Sequence, residues 1–241
     1  MKRCIACLII ALSLSISNRS YGQAALAAKV LAQLHIERSQ CNEELIAEKP
    51  LPYRKDWSVV VIPKYNEKEE ESFSLDSYIL LVDNQTGKII SKYFEEGTAN
   101  GWTSDAVRLE SIFIDTDPYK VKAGVNAFAI KLAFRGSSSP NPYSSERISI
   151  FEPQGAQIKC LLKNFETETY TGEWDMHCAG VFNEAVRTLS FSKTVSQGYY
   201  NIIVSNKVKH IISQKVNDDC KEKITSKTTA KILRFKNGTY Q

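Results

Sequence analysis

Alternation of apolar and polar positions dominates the chain beyond residue 52, whereas helical periodicity is confined to its start. In Ala127-Phe128-Ala129-Ile130-Lys131-Leu132-Ala133-Phe134 the even positions share one face and the odd face is small or charged. That pattern predicts a strand with one side buried. Trp57-Ser58-Val59-Val60-Val61-Ile62 is a β-branched run expected to end at Pro63. Segments 77–82 and 88–94 flank Asp83-Asn84-Gln85-Thr86-Gly87, a hairpin connection of turn formers. Further strands are predicted at 106–114, 126–134, 147–151, 157–162, 169–174, 186–192, 199–212, 223–228 and 231–235. About ten strands without helical crossovers predict an all-β fold, an antiparallel β-sandwich or related closed sheet, or propeller-like sheets.

The exception is residues 24–48, where Leu26, Val30, Leu31 and Leu34 recur at helical spacing and Lys29, Gln33 and Glu37 take the other faces. This amphipathic helix is expected to break near 39–42, and Pro50 and Pro52 forbid its continuation. It either packs on the main domain or offers its apolar face to a partner. The predicted organisation is an N-terminal helical segment, 23–50, and one β domain, 51–241.

Residues 1–22 read as a signal peptide. Lys2 and Arg3 precede an apolar run from Ile5 to Ile16, and Ser20-Tyr21-Gly22 supplies small residues before a cut ahead of Gln23. The expected location is periplasmic or secreted, and no second apolar run approaches membrane-spanning length. Without Lys2, Arg3 and Arg19 the formal charge of +4 falls to +1. A charge near zero argues against nucleic acid as the partner.

Of six cysteines, Cys4 and Cys7 lie in the leader, leaving Cys41, Cys160, Cys178 and Cys220. Four thiols in an oxidising compartment predict two disulfides with three connectivities. Cys160–Cys178 with Cys41–Cys220 is the expected pairing, the first tying neighbouring strands and the second pinning both ends.

Candidate chemistry centres on Glu166, Glu168, Glu173, Asp175 and His177. If 173–177 is extended, Glu173, Asp175 and His177 share a face and suit a metal site or an acid–base pair; otherwise they form a solvated strand face. Extended geometry turns His177 away from Cys178, which favours a disulfide over a thiol nucleophile. Asp115-Thr116-Asp117-Pro118 reads as a turn rather than a calcium loop. Gly-x-Ser-x-Gly, phosphate-loop, dinucleotide and His-Glu-x-x-His signatures are absent, and no cofactor or metal is expected.

Two loops suit recognition. Glu69, Glu70 and Glu71 lie in an acidic stretch that would steer a basic partner. Asn141 and Tyr143 lie in a Gly/Ser/Pro-rich loop resembling adaptable recognition loops.

Gly198-Tyr199-Tyr200-Asn201-Ile202-Ile203-Val204, followed by Ile232-Leu233-Arg234-Phe235-Lys236-Asn237-Gly238-Thr239-Tyr240, resembles the closing strands of FG-GAP/VCBS-like exported bacterial proteins. The resemblance implies a bacterial, exported, all-β chain with propeller-like blades. Asn201 stands where that family has Asp, and the Asp-rich calcium loop is missing, so metal binding is not implied.

These readings together predict an exported, non-enzymatic protein-binding domain, an inhibitor or immunity-type protein of a toxin or envelope enzyme. The alternatives are an envelope-polymer hydrolase using Glu173, Asp175 and His177, and a structural or adhesin-like module.

Overall fold

The computed structural model describes residues 26–241, so the expected leader lies outside the described residues. The chain opens with helix α1 (26–34) and two short 3-10 turns. The first strands are β1 (Ala47–Leu51), β2 (Arg54–Lys68), β3 (Phe73–Asp83) and β4 (Ile89–Glu95). A single helical turn, α2 (Gly97–Asn100), and the short β5 (Thr103–Ser104) follow. Next come β6 (Val107–Lys122), β7 (Val125–Gly136), β8 (Tyr143–Gln154) and β9 (Gln157–Trp174). The chain ends with β10 (Gly180–Ser196), β11 (Tyr199–Val216), β12 (Asp219–Leu233) and the hairpin β13 (Phe235–Lys236) and β14 (Thr239–Tyr240).

The fold is all-β. β1 to β4 form one antiparallel meander, with β5 added to β3, and β6 to β12 form a second in chain order. The two join through a parallel bridge, Lys92 to Gln157, making a large mixed sheet nearly closed into a barrel. The expected all-β architecture with one N-terminal helix is thus present, in the form of a nearly closed sheet.

Three apolar clusters stack through these layers. Val60, Ile62, Leu80 and Val82 on one face of β2 and β3 receive Leu26, Val30 and Leu31 of α1. The apolar stripe of the helix is thus consumed by the domain itself. Val59, Val61, Ile79 and Leu81 on the opposite face meet Phe128, Ile130, Leu132 and Phe134 of β7. Double-sided burial explains why β2 is continuously apolar over 59–62 instead of alternating. The third cluster joins Ala127, Ala129, Ile148 and Ile150 to Ile202, Val204, Leu233, Phe235 and Tyr240. β7 is therefore buried on both faces over 127–130, a correction to the one-sided strand expected: its odd face is small because another layer packs on it.

Other boundaries shift for identifiable reasons. The helix is shorter than predicted: it stops after residue 34, where His35 takes a positive φ and the Ile36 N–H bonds back to the Leu31 carbonyl, and Ala47–Leu51 instead pairs with β2 as an edge strand that accommodates Pro50. Pro63 lies inside β2. Its carbonyl accepts the Asn42 N–H, so its nitrogen faces that same side, beyond the end of β1, where no ladder donor is needed. Asp115–Pro118 is not a terminal turn but a bulge within β6, where the register shifts between Asp115 and Tyr119. Asp115 accepts the Asp117 N–H and the Tyr119 hydroxyl there. By contrast, the turn at 83–87 forms as predicted, with Asp83 Oδ1 accepting from the Gln85 and Thr86 amides.

The expected disulfide pairing is wrong. Cys178 bonds Cys220, and Cys41 and Cys160 are free thiols. Cys160 sits far back on β9, and the strand needs about 45 Å to run from there to Trp174. Cys178 in the β9–β10 turn instead bonds the second residue of β12, which pairs with Lys215 near the end of β11, with Cα atoms 5.5 Å apart.

Candidate docking surface

Beyond the third cluster the sheet leaves the core as a wing, made of residues 180–187 of β10, 206–216 of β11 and 219–229 of β12. Its two long hairpins follow from local chemistry. Gln197-Gly198 and Asn217-Asp218 both adopt positive φ, the two-residue geometry whose twist matches paired strands. The register then holds without slippage for fifteen consecutive pairs between β11 and β12. Residues 219–231 of β12 carry mostly Lys, Thr and Ser on both faces, so nothing draws the strand onto a core. From Asp219 to Ile232 every residue of β12 is exposed.

The wing nevertheless carries large apolar side chains. Gly172, Phe182, Ile211 and Ile224 form one cross-strand row on the outer face. Phe182 lies over Gly172, where a Cβ would collide with its ring, and stacks on Tyr170 at 5.9 Å. On this face Ile224 is 55% exposed and Trp174, at the adjoining end of β9, 36%, while Val181, 42% exposed, lies on the opposite face. Exposed aliphatic and aromatic groups grouped on one element mark interaction surfaces.

The sequence-predicted residues fall around this wing in different roles. β9 ends at Trp174 and 175–179 turn, so the extended arrangement of Glu173, Asp175 and His177 does not form. Asp175 Oδ1 accepts the N–H groups of His177, Cys178 and Ala179, each at 2.9 Å. Those bonds, His177 foremost, hold its carboxyl below the ordinary value. It is a turn-forming group, while Glu173 and His177 are exposed. Glu168 pairs with Val186, and Glu166 approaches Arg147 at 4.0 Å.

The loop holding Asn141 and Tyr143 is brought to the wing, since Pro140 and Pro142 carbonyls accept the Trp174 and Gly172 amides. Tyr143 is half-buried, its hydroxyl bonded to Ser145 Oγ, and Asn141 is exposed. Glu69, Glu70 and Glu71 are exposed in the β2–β3 turn, which Glu69 closes with Ser72.

Two recesses escaped sequence reasoning because each is assembled from distant segments. The first, about 510 Å³, lies on the β9 edge between its bridge to β4 at residue 157 and the start of its pairing with β10 at 168. Arg147, Lys163, Arg187 and Lys231 line it against one carboxylate, Glu166, with Phe165 and Asn164 between. Lys231 stands over the Phe165 ring at 5.3 Å. The second, about 370 Å³, lies beside α1 and is lined by Glu48, Lys49 and Phe113 among others. Burial pushes the Glu48 carboxyl up to about 7, against a hydrogen bond from the Ala27 amide. Among the described residues no group of His, Cys, Asp and Glu is arranged to hold a metal ion.

Fold and surface thus define a class: a layered all-β domain with a disulfide-braced sheet wing. No family model, curated protein or solved structure matches the chain. No helix among the described residues is long and apolar enough to cross a membrane.

Proposed function

We propose that this chain is an exported, non-catalytic protein-binding domain that engages its partner through the wing, as an inhibitor or immunity-type protein does. The observation that carries the reading is β12. It is a fifteen-residue terminal strand, exposed from Asp219 to Ile232, with the Phe182–Ile211–Ile224 row beside it. Such a strand offers main-chain donors and acceptors to an incoming chain. The Cys178–Cys220 bond braces the end furthest from the core, limiting the ordering cost of binding. Export is supported by the leader-like pattern of residues 1–22 and by the disulfide, which suits an oxidising compartment.

The test compares wild type with the Trp174→Ser/Ile224→Thr double variant in pull-downs from envelope extract. Both substitutions are at exposed positions, so the melting temperature should hold. Wild type should recover a stoichiometric partner that the variant loses. Equal recovery by both, or recovery by neither, would overturn the reading.

A further inference from the structure

We infer that the partner, on the protein-binding reading above, presents an extended acidic segment that adds to the free edge of β12 and ends in the basic recess on β9. The sheet order terminates at β12, whose one ladder runs to β11, so its other edge is open among the described residues. On the face that continues the third core cluster, Lys223, Lys227 and Lys231 alternate with Thr225 and Thr229. A four-residue interval in a strand spaces these ammonium groups by about 13 Å. The row runs directly into the recess, because Lys231 both ends the row and lines the cavity.

The recess has cationic capacity to spare. Lys163 is paired with Glu95, and Arg147 reaches Glu166 at 4.0 Å. Arg187 and Lys231 make no carboxylate pair among the described residues; the Arg187 guanidinium donates to the Glu166 carbonyl at 3.3 Å. Asn206, opposite Arg187 in the same row, buries an Oδ1 without a hydrogen-bond partner.

Edge lysines commonly guard a sheet against association. That role accounts for β12 but not for Arg147 and Arg187, which converge from inner strands on the same recess. A second copy of the chain is a poor occupant. Antiparallel pairing of β12 centred on Lys227 sets Lys227 against itself and Lys223 against Lys231, and directly opposed like charges destabilise a sheet. A strand with a carboxylate at every fourth position meets each lysine with its complement.

The experiment titrates the intact protein with fluorescein-labelled (Thr-Glu-Thr-Val)₃ and follows anisotropy and amide shifts. Saturable binding that weakens with salt is expected, with the shifts concentrated in β12 and around Arg187. Lys223→Glu/Lys227→Glu/Lys231→Glu should weaken binding at least about tenfold and should instead take (Thr-Lys-Thr-Val)₃. The inference is overturned if the acidic peptide does not saturate, if lysine reversal leaves its affinity unchanged, or if a heparin oligosaccharide binds more tightly than the peptide. In the envelope pull-down, partner capture that survives lysine reversal but not Trp174→Ser/Ile224→Thr would sink the acidic-strand inference alone. Loss of capture by neither variant would sink the docking reading itself.

Discussion

Lys122 Nζ lies 2.6 Å from Glu152 Oε1, bridging β6 and β8 although β7 runs between their strands. The other Glu152 oxygen accepts the Tyr199 hydroxyl and the Gln154 amide, each at 2.6 Å. Tyr199 belongs to β11, so one buried carboxylate ties together three strands where the curled sheet approaches closure.

This group dictates an acid-side stability limit. Burial pushes the Glu152 carboxyl up, but hydrogen bonds from Lys122, Tyr199 and Gln154 outweigh it and leave the carboxyl below its ordinary value. Its stabilisation is therefore fully present above the unfolded value, about 4.3, and is lost as pH falls through the folded one. Lys122 is raised, mainly by its bond to Glu152, so its contribution persists below the ordinary lysine range and fades as pH rises through the folded value. Urea midpoints below pH 5 should fall for wild type and vary less for Glu152→Gln. Lys122→Met strands a buried carboxylate and should cost about 3–5 kcal/mol at neutral pH.

Glu48 has the opposite signature. Its folded value of about 7 exceeds the unfolded one, so the folded chain holds a proton that the unfolded chain has released between these values. Stability must then decline as pH rises through that window. Glu48→Gln should raise the urea midpoint at pH 7–8 and leave it almost unchanged at pH 4. A lower midpoint at pH 8 would mean that the carboxylate is stabilised by contacts beyond the Ala27 amide.

The Cys178–Cys220 bond, 42 residues apart in sequence, should act on the wing rather than on the cores. Loop entropy sets a ceiling of about 4 kcal/mol. Because the bonded end of the wing is already exposed, Cys178→Ser/Cys220→Ser should show faster amide exchange in 206–229. The β2–β3 amides should be unaffected.

The free thiols should be inert in the native state. Burial pushes the Cys160 thiol up to about 12 and raises Cys41 as well. Iodoacetamide at pH 8 should leave the native protein unmodified, since the thiolate is the reactive form. Under non-reducing urea, mass spectrometry should count two alkylated thiols. Four would mean that Cys4 and Cys7 are still present, making the same experiment a test of leader removal.

Much of the architecture was legible locally. The 83–87 turn was readable because Asp83 caps its own connection, and β7 because its bulky even positions follow the pleat. Long-range partnerships were not. Nothing near Cys178 in sequence favours Cys220 over Cys160; the choice depends on β11 lying between β10 and β12. Asp115–Pro118 reads as a turn on local grounds, yet pairing with β7 on both sides carries the strand through it as a bulge. The basic recess draws on four strands, and its members look like ordinary surface charges when read one at a time.

The sequence by itself determined the all-β character, the strand periodicities, the amphipathic helix and the turn sites, because each is set by interactions within a few residues. Tertiary structure alone decided which faces were doubly buried, which cysteines met and which strand was left at the edge. Those outcomes depend on contacts between residues tens of positions apart, where the energy of burial and pairing overrides what neighbours in the chain prefer.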